Sequence, residues 1–151
     1  MSKNLSFQQI IQALKKKEYA PVYFLHGEES YYIDEIAKYI ETNVLDESMK
    51  AFNQTILYGK EIDHKTVLDN ARRYPVMSDK QVLIVREAQE LKSIEQLDGY
   101  INQALETTIL VICYKHKKID GRKPFAKTLK QSKNVILFES CLLYTSDAAD
   151  E

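Results

Sequence analysis

The chain lacks any run of about 18 consecutive apolar residues, so no membrane-spanning helix is expected. Its opening, MSKNLSFQQIIQALKKK, is amphipathic and has no continuous apolar core of the kind a secretory signal needs. Cysteine is scarce: Cys113 and Cys141 show neither disulfide nor metal spacing. Cys113 falls inside an apolar stretch, where the expected role is that of a small buried hydrophobe. A reducing, cytoplasmic setting suits this usage. His26, His64 and His116 are scattered, with no HExxH spacing, and there is no GxSxG. No catalytic constellation, cofactor or metal is therefore expected. Charge of neither sign prevails, with 21 Lys and Arg against 22 Asp and Glu for a net −1. That balance neither demands nor excludes a nucleic-acid partner.

What is present is an alternation of elements. A chain of 151 residues, 44% hydrophobic and 28% charged, fits one domain able to bury a substantial core. Phe7, Ile10, Ile11 and Leu14 recur at helical spacing behind Ser6, a candidate N-cap, with Lys15, Lys16 and Lys17 at the far end. Strands are expected over residues 22–26, 51–58, 81–85, 108–114 and 135–138. Between them, helices are expected with Tyr32, Ile33, Ile36, Ala37, Ile40 and Val44 inward, from Asp63 to a stop before Pro75, from about Ser93, and from about Pro124. Continuous apolar runs such as QVLIV and TILVICY indicate strands buried on both faces. The pattern predicts an α/β fold: a mainly parallel, five-stranded sheet flanked by helices.

The stretch PVYFLHGEESYYIDE has the strand–loop–helix layout of a P-loop without its working residues. A functional loop reads GxxxxGK[ST], so that glycines admit the phosphates, lysine neutralises them and the hydroxyl holds magnesium. Gly27 stands at the first glycine, but Tyr32, Ile33 and Asp34 stand at the second glycine, the lysine and the hydroxyl. Glu28, Glu29 and Asp34 add charge that repels phosphate yet suits an empty helix N-terminus. The expectation is a degenerate P-loop, a capped turn entering a helix. In VLIVREAQEL, Arg86 occupies the place of a magnesium-binding aspartate, and Glu87 is read as a solvated strand-end carboxylate.

Residues 141–151, CLLYTSDAADE, break the preceding periodicity and resemble the translation of a transposase sequencing adaptor read through in metagenomic assemblies. They are expected to be non-native. Without Asp147, Asp150 and Glu151 the net charge becomes −1 + 3 = +2, and the chain is then expected to be an N-terminal fragment ending at Ser140.

Three blocks, PVYFLHGEESYYIDEIAKYI, RRYPVMSDKQVLIVREAQEL and KKIDGRKPFAKTLK, resemble the N-terminal domain of the delta subunit of bacterial DNA polymerase III. The resemblance covers about residues 5–140. It implies an AAA+-like domain that binds no ATP, with residues 1–140 as the clamp-binding domain and the lid and C-terminal collar domains missing. The implied role is that of a clamp-loader subunit in DNA replication, an accessory part of a DNA-directed DNA polymerase complex without catalysis of its own. Implied partners are the sliding clamp (beta subunit), the gamma/tau and delta prime subunits, and primed DNA, with no membrane. The family's clamp-contacting hydrophobic pair falls on Val76 and Met77, flanked by Pro75 and Ser78. Read from the residues alone, that pair covers the domain's own core. Some relatives carry a leucine–phenylalanine pair there, so the aromatic anchor is replaced by an adaptable methionine.

The basic segment of residues 115–130 is a second candidate surface. Lys117, Lys118, Arg122 and Lys123 could face DNA, while Ile119, Phe125 and Leu129 look like a helix packing face. Two other functions stay open at this point: a degenerate but active NTPase, which Tyr32 and Ile33 oppose, and a DNA-binding module built on the basic segment.

Overall fold

A computed structural model describes residues 2–140, and the expectation about residues 141–151, Cys141 included, lies outside the described residues. In chain order the elements are β1 (Lys3–Asn4), α1 (Phe7–Lys15), β2 (Val22–Gly27), α2 (Tyr31–Asn43), α3 (Glu47–Asn53), β3 (Gln54–Tyr58), α4 (His64–Ala71), β4 (Gln81–Arg86), α5 (Asp98–Asn102), β5 (Thr108–Lys115), α6 (Pro124–Gln131) and β6 (Val135–Ser140). The strands form one sheet in the order β1-β6-β2-β5-β4-β3, and every neighbouring pair is parallel.

Side-chain alternation along the strands divides the core into two layers. Val22, Phe24, Leu83, Val85, Leu110 and Ile112 point to the face covered by α4, α5 and α6, where Val67, Ile101, Phe125 and Leu129 meet them. Tyr23, Leu25, Val82, Ile84, Val111 and Cys113 point to the opposite face, against Ile10 and Leu14 of α1 and Ile33, Ile36 and Ile40 of α2. Because both faces are covered, the strands read as unbroken apolar runs. Cys113 is buried as expected, and burial pushes its thiol up to about 12, with the Asp34 carboxylate adding to the shift.

Among the described residues the sheet has six strands, one more than the sequence predicts. The sixth, β1, is two polar residues paired parallel with β6, Lys3 opposite Ile136 and Asn4 opposite Leu137. It is too short to carry any alternation. Residues 51–53, expected in a strand, instead close α3, and the strand starts at Gln54. Seven residues of helix give an apolar pattern too little length to declare its period. The helix expected from Ser93 is a 3-10 turn at Ile94–Leu97 followed by the five residues of α5. Asp98 and Gly99 are weak helix formers, which accounts for its brevity.

Two caps match the sequence reading. Ser6 and Gln9 form a reciprocal capping box on α1, and the Asp63 carboxylate accepts the Thr66 N–H at 3.2 Å to open α4. Helix α4 ends at Ala71, ahead of Pro75.

Candidate functional site at the N-terminal edge of the sheet

Parallel strands give the sheet two unlike edges. The strand C-termini gather Gly27, Tyr58, Arg86 and Lys115 on one edge, and the loop from α4 into the start of β4, residues 72–80, lies on the other.

At the C-terminal edge several of the polar groups already have partners. Gly27 has φ 134, and a Cβ built there would lie 1.8 Å from the Ser140 carbonyl oxygen, so the neighbouring strand closes directly on it. The Gly27 N–H donates to the Lys117 carbonyl at 3.1 Å. The Glu29 carboxylate accepts the Tyr31 N–H at 2.8 Å, an internal anion at the start of α2. Ile33 is fully buried in the core, and Tyr32 packs on Phe7 with ring centroids 4.5 Å apart, joining α2 to α1.

A cleft of about 420 Å³ opens beside α2. Two of the three cations that line it are paired: Arg86 with Glu41, and Lys115 with Asp34 at 3.1 Å and Glu87 at 3.5 Å, while Lys38 is the third. Burial alone would lower the Lys115 pKa, but the hydrogen bond and charge of Asp34, helped by Glu87, outweigh it and leave the ammonium raised. His26 is buried beneath the basic segment, and its Nδ1 accepts the Ile119 N–H at 3.1 Å. Burial is the main cause that lowers its pKa to about 4, partly opposed by Glu139 and reinforced by Lys118 and Lys130.

Three of the candidate cations in the basic segment have carboxylate neighbours. Lys118 lies 3.8 Å from Glu139, Lys123 lies 3.7 Å from Glu95, and Arg122 forks onto Asp120 through Nε and Nη2, both at 3.1 Å. The Arg122 hydrogen bonds hold the Asp120 carboxyl down to about 2. Lys117 stacks its ammonium 5.8 Å over the Tyr114 ring. Each of these four side chains thus has a different neighbour.

The N-terminal edge is built differently. Of the six large apolar or aromatic side chains exposed among the described residues, Tyr74, Val76 and Met77 fall within four consecutive positions. Met77 is 87% exposed and Val76 48%, so these side chains do not cover the domain's own core, as the residues alone had suggested. Pro75 and Ser78 flank them, each half-buried. The Met77 backbone is left-handed, φ 55, a conformation that non-glycine residues rarely adopt.

Buried polar side chains hold the loop at both ends. The Gln81 amide donates to the Arg73 carbonyl at 2.7 Å and the Asn70 carbonyl at 3.1 Å, and Thr108 Oγ1 donates to the Ala71 carbonyl at 2.7 Å. These bonds take up carbonyls that the end of α4 leaves open. Ser78 Oγ bonds the Lys80 carbonyl at 3.0 Å, and Lys80 Nζ reaches the Glu106 carbonyl at 2.6 Å. Asn53, at the end of α3, bonds both the N–H and the C=O of Val76. Sequence reasoning missed Gln81, Thr108 and Asn53. Polar residues at the ends of an apolar run were the available signal for the first two, and Asn53 left none.

A family model described as DNA polymerase III, delta subunit, matches residues 23–139. DNA polymerase III subunit delta of Bacillus subtilis (strain 168) is 28% identical over 149 residues, spanning 92% of this chain and 42% of that protein. The solved Bacillus subtilis DNA clamp loader delta protein superposes with a TM-score of 0.81 at 24% identity, over 96% of this chain and 45% of that one. A DNA polymerase III gamma subunit-related protein from Thermotoga maritima superposes with a TM-score of 0.55 at 12% identity, over 95% of this chain and 50% of that one. At those identities the two superpositions speak to fold alone. The chain spans half or less of the length of each of these relatives.

Proposed function

Starting from the fact that this chain belongs to the DNA polymerase III delta subunit family, we propose that it is the clamp-binding domain of a clamp-loader subunit and docks the sliding clamp through Val76 and Met77. The observation that carries this reading is the exposed apolar tip on a loop pinned by buried hydrogen bonds. A docking anchor needs apolar surface that is free to enter a partner's pocket and a backbone already in the bound shape. The first supplies desolvation on binding, and the second limits the entropy lost. Pro75 stiffens the approach, and Ser78 turns the chain back into β4.

In this reading the domain is AAA+-like with a degenerate P-loop, and it performs no chemistry. It shifts the clamp toward an opened ring by binding that form more tightly, since only differential affinity moves such an equilibrium. ATP bound by other loader subunits, of the gamma/tau and delta prime kind, sets when the tip is presented, and primed DNA is the eventual cargo. The internal pairing of Lys115, Arg86 and Glu29 at the opposite edge supports a site that has no use for phosphate.

The test is a calorimetric titration of the chain into purified bacterial sliding clamp. Wild type gives saturable binding. Val76→Ala with Met77→Ala weakens it by about tenfold or more, in line with the loss of two interface anchors. Unchanged affinity in the double variant removes the pair from the site.

A further inference from the structure

We infer that Asn53 is the positioning residue of the docking tip: its buried side-chain amide stands in for a neighbouring strand and fixes the backbone from which Val76 and Met77 project. The inference rests on the clamp-docking reading of that tip.

The geometry is specific to an amide. Asn53 Oδ1 accepts the Val76 N–H at 2.6 Å, and Asn53 Nδ2 donates to the Val76 carbonyl at 2.8 Å. A donor and an acceptor on one planar group thus meet the acceptor and donor of one residue, as a strand neighbour would. The second Nδ2 hydrogen goes to the Met49 carbonyl at 3.1 Å, one turn back in α3. With both N–H groups and the oxygen engaged, the amide orientation is determined. The side chain is 1% exposed, so it acts on a partner only through the loop.

The position in the chain explains what this achieves. Val76 lies 23 residues from Asn53 and belongs to no strand or helix. Its neighbour Met77 holds φ 55, which costs energy relative to ordinary backbone and persists only when the surroundings impose it. On one side of Met77, Asn53 fixes Val76. On the other, the Ser78 hydroxyl bonds the backbone of Lys80. Without the amide the tip samples other conformations, and the partner must bear the cost of ordering it. Aspartate loses both donors and sets a carboxylate against the Val76 carbonyl. Leucine fills the volume but makes none of the bonds.

Two measurements decide the matter. In the unaltered chain, the Val76 amide should exchange with solvent at least about a hundredfold slower than an unstructured reference, although its side chain is exposed. An unprotected Val76 amide overturns the inference, whether or not any variant folds. The second measurement is a cycle of clamp titrations with wild type, Asn53→Leu, the Val76→Ala/Met77→Ala pair and the combined variant, with unfolding curves for each. Asn53→Leu should weaken binding about tenfold, the worth of two modest hydrogen bonds. It should change affinity less than about twofold once Val76 and Met77 are already alanine, because it acts through them. Its loss of stability should be the same in both backgrounds. Wild-type affinity in Asn53→Leu overturns the inference, as does an equal loss of affinity in both backgrounds. Absence of clamp binding by the wild-type chain sinks the docking reading instead, and Asn53's hold on the loop is then judged by exchange at Val76 alone.

Discussion

The two edges of this sheet handle polar and apolar groups in opposite ways. At the strand C-termini, where open parallel sheets ordinarily bind ligands, Gly27 is closed over by Ser140, the Glu29 carboxylate caps α2, and Arg86 and Lys115 are tied to carboxylates. At the strand N-termini, buried amides and a hydroxyl serve the backbone while Tyr74, Val76 and Met77 remain outside. An edge whose polar groups bond one another has little left to offer a ligand. An edge whose polar groups rigidify a loop leaves its apolar side chains for a partner. The same α/β frame therefore supports one quiet edge and one presenting edge.

Perturbing each edge separately tests this division. The largest effect is expected at the closed edge, for Gly27→Ala. The added Cβ meets the Ser140 carbonyl and the backbone keeps φ 134, so about 4 kcal/mol or more of stability is lost through overpacking and strain. Urea unfolding measures it, and an unchanged midpoint would mean that the edge is looser than described.

The next effect is a pH dependence. Folded His26 stays neutral down to about pH 4, whereas the unfolded imidazole takes its proton near 6.5. Between those values the unfolded chain binds the extra proton. Stability therefore falls as pH drops from about 6.5 to about 4, with no further loss from this group below that, for a total of up to about 3 kcal/mol. His26→Leu should flatten that part of the profile, measured by urea unfolding at pH 7 and pH 4.5. A profile that keeps its slope assigns the acid sensitivity to other groups.

At the presenting edge, Gln81→Leu strips the buried amide from the Arg73 and Asn70 carbonyls and should cost about 2 kcal/mol. It should also weaken clamp binding, because the end of α4 no longer fixes the loop. A loss of stability with full affinity would separate the loop from its anchor.

The smallest effect belongs to Glu29→Ala, which opens the first turn of α2 at a cost of about 0.5–1 kcal/mol. Titration with labelled ATP should remain unsaturable even then, since Ile33 is buried and Tyr32 is committed to Phe7. Saturable ATP binding would reverse the reading of this edge.

The frame was legible because burial on both faces writes itself into sequence as unbroken apolar runs, and β2, β4, β5 and β6 all carry one. The two-residue β1 and the seven-residue α3 were not, because each is shorter than the window that periodicity requires. The candidate site divides in the same manner. Val76 and Met77 look like core residues by composition, and only the family resemblance pointed outward before the fold exposed them. Asn53 was invisible because its partner lies 23 residues away and it falls inside residues 51–58, which read as a strand. Long-range side-chain to backbone bonds follow from the fold and leave no local pattern.

The most direct test of the division between edges is a hydrogen-exchange footprint of the chain with excess sliding clamp. The account predicts added protection confined to the presenting edge, within residues 72–80 and the adjoining end of α3, with residues 27–34 unchanged. Protection at residues 27–34 with none at 72–80 would contradict it.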